Sequence, residues 1–529
     1  MSINPTVEQT QEMISALQRP EAYAHPVTDI TLFETHISWV LLTGEYAYKI
    51  KKPVNFGFLD FSTLEKRHFY CQEEVRLNGR FAPQLYLAVV PIGGTPDAPQ
   101  MDGAGTALEY AVKMRQFDPQ KTFDVLLTQN ALSQATIEQT AIMLAGFHQQ
   151  IAVAEAKSPF GSPASIEQPV QENFAQLKQA LVGVKNVQEI RETYESLRQW
   201  SRAQHNKLLT AFQQRKQQGF IRECHGDLHL RNIMLWDNQV IPFDGIEFNA
   251  NLRWIDVMSE LAFLLMDLDD HGQASLAQAL LNRYLSLTGD YAGLATLRYY
   301  QAYRAMVRAK VASLRLGQLS GANAEADCLA EIRNYIQLAV TYTQPPPAQL
   351  IITHGLSGSG KSVLAKQLAL NAGLIHLRSD VERKRLFELA ETEHSDSALN
   401  AGIYQAKATT DTYQRLLDLA ESCIHSGFPV IVDATFLQRE QREQFRSLAQ
   451  RLGCDFQLLD CQAEPTLLKQ RIQQREQQGS DASEATLAVL QQQLNTQQPL
   501  DKDELSDTLQ VDTSGWPDIS GIVSQLMLV

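Results

Sequence analysis

The sequence has 529 residues, 44% hydrophobic and 20% charged, with ordinary counts of glycine (28) and proline (20). That length suits about two to four domains with cores of their own, and the balance excludes a disordered, fibrous or disulfide-stapled chain. Acidic residues exceed basic ones, 60 to 46, for a formal charge of −14, which argues against a dedicated binder of nucleic acid or anionic membrane.

Met1 to Ala16 is polar and lacks the basic-then-apolar order of a signal peptide, and the most apolar later run, Leu261 to Met266, is too short to span a bilayer. The six cysteines form no CxxC pair, so no zinc or redox spacing exists. A cytoplasmic protein with reduced, mostly buried thiols is expected.

Ile37 to Thr43 and Tyr46 to Lys51 flank Gly44-Glu45 and predict a hairpin. Ser62 or Thr63 caps a helix through Leu77, and Leu85 to Ile92 and Tyr110 to Phe117 complete a small sheet. From about Ile137 the period is helical, broken near residues 220 to 250. Pro345-Pro346-Pro347 cannot continue a helix. The chain therefore divides into residues 1–343, a proline-rich linker 344–348, and residues 349–529. The last segment alternates strand and helix, with strands expected at 350–354, 374–378, 429–433, 456–461 and 509–512, which predicts a parallel sheet covered on both faces. The fold class is multidomain α/β: a β-rich lobe and an α-rich lobe, then a parallel-sheet domain whose ligand sits at the carboxyl ends of its strands.

Gly355-Leu356-Ser357-Gly358-Ser359-Gly360-Lys361-Ser362 fits GxxxxGK[ST] between a strand and a helix. Glycines let backbone amides turn toward phosphate oxygens, Lys361 reaches the β- and γ-phosphates, and Ser362 ligates Mg²⁺. Asp380 and Asp433 end the second and third strands. An isolated Asp there would cap a helix. Two on the same sheet edge as a phosphate loop suggest Asp433 for the Mg²⁺ carboxylate and Asp380 for the base that takes a hydroxyl proton. Arg471 and Arg475, one helical turn apart, form either a solvated face or a clamp on charge at the transferring group. This segment resembles the P-loop kinases that include the zeta toxins and the kinase part of polynucleotide kinases, grouped with AAA-family ATPases. The resemblance implies that Asp380 activates the acceptor and Arg383 holds it.

In the first segment, His225, Asp227 and Asn232 stand at HxDxxxxN spacing, followed by Asp244-Gly245. A kinase-type site needs an Asp at the acceptor hydroxyl, an Asn and a second Asp on Mg²⁺, and a strand-borne lysine on the phosphates. Asp227, Asn232 and Asp244 supply the first three. Lys49 is chosen for the lysine and Glu74 for its ion-pair partner; Lys51 has the same strand parity. His148 and His229 read as packed or surface histidines, and Tyr299, Tyr300 and Tyr303 as core or rim. The segment resembles the aminoglycoside phosphotransferase and choline kinase superfamily through His225 to Asn232, Asp244-Gly245 and Trp254 to Leu261. It departs from protein kinases in lacking a GxGxxG loop, a Phe between Asp244 and Gly245, and an Ala-Pro-Glu, which disfavours a protein substrate.

The expected activity is transfer of the γ-phosphoryl group of Mg·ATP to hydroxyls of small molecules in both domains. The alternatives are catalysis in the second domain alone with a regulatory first domain, a nucleic-acid end kinase, and an ATP-switched interaction protein.

Overall fold

A computed structural model describes residues 7–527 except 58, 183, 185–186, 317–321, 396, 398–400 and 479–480. The chain forms two compact units. The first comprises Met1–Gln139, Gly146–Gln168 and Phe212–Leu264, and the second Thr140–Ala145, Pro169–Ala211 and Leu265–Val529. Pro345, Pro346 and Pro347 fall inside the second.

The first unit is built on an antiparallel sheet of β1 (Thr31–Glu34), β2 (Ser38–Leu42), β3 (Tyr46–Lys51), β4 (Tyr86–Thr95), β5 (Ala98–Met101) and β6 (Glu109–Arg115), ordered β1-β2-β3-β6-β4-β5. The β2–β3 turn closes with the Thr43 amide on the Tyr46 carbonyl at 2.9 Å, and Gly44 takes a φ of 94°, which L side chains adopt poorly. The edge strands β1 and β5 carry no clear alternation in the sequence; β1 is mostly exposed. The helix Leu64–Asn78 packs on the sheet, its start capped by the Thr63 hydroxyl accepting from the Lys66 amide. Downstream come β7 (Ile221–Glu223), the hairpin of β8 (Ile233–Trp236) and β9 (Gln239–Pro242), and β10 (Trp254–Asp256), which pairs with β7.

The second unit holds a five-stranded parallel sheet of β11 (Gln349–His354), β12 (Ile375–Arg378), β13 (Val430–Asp433), β14 (Asp455–Gln462) and β15 (Thr508–Asp512), ordered β12-β13-β11-β14-β15. Every residue of β11 is buried, as a central strand covered on both faces must be. Ile351, Ile431 and Leu459 pack against Leu364 and Leu368 of the helix Lys361–Ala372. Helices of residues 265–343 belong to the same unit, among them Ala274–Thr288, which packs on Lys361–Ala372 and on β12. Among the described residues all six cysteines are free thiols, five of them buried, and no helix is long and apolar enough to cross a membrane.

Ile351 has no room to be replaced by water. Ile351→Ala is expected to cost about 2–5 kcal/mol, lowering the urea midpoint of the full chain; a loss below about 1 kcal/mol would contradict the packing described.

Candidate functional site

In the second unit, β11 runs directly into the glycine loop. Gly355 and Gly358 hold φ values of 138° and 83°, and a Cβ on either would meet backbone oxygen, Cys461 O or Leu468 O, at 2.7 Å. Only glycine fits at these two positions, and Gly360 caps the helix Lys361–Ala372. Lys361 is buried, and its Nζ donates to Leu356 O at 2.8 Å and Ser359 Oγ at 3.4 Å. No carboxylate pairs with it among the described residues, and burial lowers its pKa, with Asp433 opposing. A buried ammonium with only neutral partners fits an anion.

A cavity of about 740 Å³ opens over this loop, and Lys361, Ser362, Asp380, Arg383, Asp433 and Arg471 all line it, as does Arg475. Asp433 ends β13, and Asp380 lies in the first turn of the helix Ser379–Leu386 that follows β12. Burial pushes the Asp433 carboxyl up, but the hydrogen bond from His376, the charges of His376 and Arg378, and the Ser362 hydroxyl bring it to about 2. His376 Nε2 lies 3.3 Å and Arg378 Nε 3.7 Å from Asp433 Oδ2. A buried carboxylate beside a serine hydroxyl is a hard-oxygen donor set that fits Mg²⁺. Arg471 donates to Gly358 O at 3.3 Å and Thr513 O at 2.6 Å, tying the glycine loop to the segment after β15; Arg475 donates to Ala485 O at 2.7 Å. Among the described residues Arg383 donates only to neutral oxygens, Ile403 O at 3.0 Å and Thr409 Oγ1 at 3.3 Å, and its buried Nε has no partner there.

The first unit brings together Lys49, Glu74 and Asp244. Lys49 Nζ lies 2.8 Å from Glu74 Oε1 and 2.5 Å from Asp244 Oδ1. Two positions along β3 and on the same face, Lys51 reaches Glu74 Oε2 at 2.6 Å and also Glu247. Burial works against charge on both lysines, but Asp244, Glu74 and Glu247 hold their pKa values above the ordinary range. Asn232 Nδ2 donates to Asp227 O at 2.9 Å and Asp227 Oδ2 at 3.1 Å. His229 Nε2 stands 3.5 Å from the same carboxylate oxygen, and His225 Nε2 is 2.8 Å from Phe243 O. Asp244 has a φ of 62°; its amide donates to Tyr86 Oη at 3.0 Å, and the Gly245 amide to Asn78 Oδ1 at 2.7 Å. The carboxylate of Asp244 and the side chains of Asp227 and Asn232 again offer hard oxygens for Mg²⁺.

Several residues the sequence did not single out hold these groups. Glu260 accepts from the amides of His225 at 3.0 Å and Gly226 at 2.8 Å, with His148 3.4 Å away, and so fixes the loop carrying Asp227. Glu247, Tyr86 and Asn78 do the same for the Lys51 and Asp244 segments. Only His376 left a trace in the sequence: His376 and Arg378 alternate with apolar Ile375 and Leu377, which places both on one face of a strand ending beside Asp433.

Residues 70–299 match the Phosphotransferase enzyme family and residues 350–500 the AAA domain. The chain thus carries two kinase-type domains, a kinase-like one with an antiparallel sheet and a P-loop one with a parallel sheet, and its domain content is that of an ATP-dependent phosphotransferase. It is 30% identical over 470 residues to an uncharacterized protein of Mycobacterium tuberculosis, spanning 88% of this chain and 91% of that protein, and belongs to the same family. Among solved structures, a choline/ethanolamine kinase family protein from Mesorhizobium loti is 12% identical, with 62% of this chain and 99% of that chain covered and a TM-score of 0.34. A gluconokinase from Sinorhizobium meliloti is 19% identical, with 35% and 91% covered and a TM-score of 0.24.

Burial pushes the Glu260 carboxyl up, but His148, His225 and the Gly226 amide bring it from 4.5 to about 2. A carboxyl depressed in the folded state stabilises the fold above its unfolded value, and that contribution is lost as pH falls through the folded one. Glu260→Gln is therefore expected to melt below the wild type at pH 7, with the gap closing between about pH 4.5 and 2. Thermal melts across that range test it; a gap independent of pH would refute the charged clamp.

Proposed function

We propose that the chain is an enzyme with two kinase-type active sites, in residues 1–343 and 349–529 joined by the linker 344–348, each transferring the γ-phosphoryl group of Mg·ATP to a hydroxyl of a small molecule. One observation carries the reading: Lys361, Ser362, Asp380 and Asp433 line a single cavity over a glycine loop.

In the P-loop site the loop amides and Lys361 bind the β- and γ-phosphates, and Ser362 and Asp433 hold Mg²⁺, which when bound neutralises charge on the phosphate oxygens. Asp380 takes the proton of the acceptor hydroxyl as its oxygen bonds to the γ-phosphorus and the bond to the β,γ-bridging oxygen breaks, leaving ADP. Arg471 and Arg475 offset charge on the transferring group. Arg383, a buried guanidinium with no carboxylate partner among the described residues, holds an acceptor that itself carries an anionic group.

In the first site Lys49, oriented by Glu74, binds the phosphates, Asn232 and Asp244 hold Mg²⁺, and Asp227 takes the hydroxyl proton. The metal supplies the same charge neutralisation there.

The test incubates the full chain with labelled ATP and a metabolite extract, beside Asp227→Ala and Lys361→Ala. Each variant is expected to lose a different labelled product by about 10²–10⁴-fold, the usual worth of such groups. Products lost only in Lys361→Ala would make the first domain non-catalytic, and slow hydrolysis without any labelled acceptor would refute transfer to a hydroxyl.

A further inference from the structure

The carboxylate proposed to hold Mg²⁺ in the P-loop site is steadied by residues far from it in sequence. Asp433 is contacted by His376 and Arg378, both on β12. That strand is at the edge of the sheet, so one row of its backbone groups has no strand to pair with. The helix Ala274–Thr288 supplies the missing partner. Asn282 Oδ1 accepts from the His376 amide at 2.8 Å while its Nδ2 donates to Leu374 O at 3.0 Å, as a neighbouring strand would; Gln278 adds a second donor to Leu374 O at 2.7 Å.

A chain of alternating charges runs beside these bonds. Arg283 pairs with Glu391 at 2.5 Å, the other oxygen of Glu391 lies 3.5 Å from Arg378, and Arg378 faces Asp433. Arg378 also reaches Asp481 at 3.1 Å, so Arg283, by sharing Glu391, bears on how Arg378 is divided among Glu391, Asp481 and Asp433. Asn282 and Arg283 lie within residues 70–299, the part that matches the phosphotransferase family, and in the same compact unit as the parallel sheet.

We infer that Asn282 and Arg283 are positioning residues of the P-loop site: they fix β12, and through His376 and Arg378 they set the Asp433 carboxylate for its metal. Such outer partners commonly contribute about 10- to 100-fold in metal affinity. The inference rests on the proposed P-loop reading, and goes beyond it by making residues outside 349–529 part of the site.

The test titrates Mn²⁺ by electron paramagnetic resonance into the full chain with a non-hydrolysable ATP analogue bound. All variants carry Asp244→Ala, which removes the metal carboxylate of the other site. Asn282→Ala is expected to weaken Mn²⁺ binding about tenfold while leaving metal-free affinity for the analogue unchanged. Arg283→Ala should weaken it too, and Arg283→Lys should restore most of the loss. In a His376→Ala background the Asn282→Ala effect should shrink, because the path through His376 is already cut.

Unchanged Mn²⁺ binding in both Asn282→Ala and Arg283→Ala would overturn the inference, as would full additivity with His376→Ala. If Asn282→Ala melts at room temperature, the Arg283→Ala and Arg283→Lys pair decides. Failure of the underlying reading looks different: Lys361→Ala and Asp433→Asn would then leave binding of both the analogue and Mn²⁺ untouched.

Discussion

A charge taken out of water has to be met by another charge or by directed dipoles, and that constraint shapes both sites. In the first unit two lysines of one strand enter the interior together, and they do so against Glu74, Glu247 and Asp244. In the second, Asp433 is buried at the end of a parallel strand and is held by His376, Arg378 and Ser362. Those clusters tether the Asp244 segment to β3 and tie β12 to the end of β13.

The parts that were legible in the sequence are those whose physics is local. A glycine loop between a strand and a helix can be read because Gly355, Gly358 and Lys361 act within eight residues, and a hairpin because its turn is two residues long. The alternation of strand and helix after residue 349 likewise follows from short apolar runs. The edge strand β1 was not legible, because an exposed strand needs no apolar alternation, and β5 was not, because its four residues are too few, and include a proline, to mark a strand. Glu260, Glu247 and Asn282 were not legible either. Each acts on backbone or charge between about 30 and 200 residues away, and a lone Glu or Asn on a helix or loop looks like an ordinary solvated residue until the fold brings its partner near.

Under the proposed function, the two sites meet one task with different electrostatics. Around Lys49 the cations Lys49 and Lys51 face three carboxylates, those of Glu74, Glu247 and Asp244, so the lysine charge is already matched before any ligand arrives. Around Lys361 the ammonium meets only a carbonyl and a hydroxyl among the described residues, and among these Arg383 donates only to neutral oxygens. Under the proposed function, a phosphate entering the first site has to displace the Asp244 carboxylate from Lys49, and a divalent cation taken up by that carboxylate makes the exchange favourable. A phosphate entering the second site meets the Lys361 ammonium, which pairs with no carboxylate among the described residues, and the loop amides add to it.

That difference explains why the supporting contacts differ as well. Where carboxylates outnumber lysines, the structure spends its hydrogen bonds on holding the acidic loops in place, through Glu260, Tyr86 and Asn78. In the second site Asp433 is held by His376 and Arg378, both on the edge strand β12, and that strand is itself braced. The brace comes from a helix whose sequence belongs with the other kinase-type domain. Under the proposed function, a P-loop domain cut at the proline linker would keep its glycine loop and the His376 and Arg378 contacts to Asp433, but lose the Gln278, Asn282 and Arg283 contacts that hold β12 and Glu391.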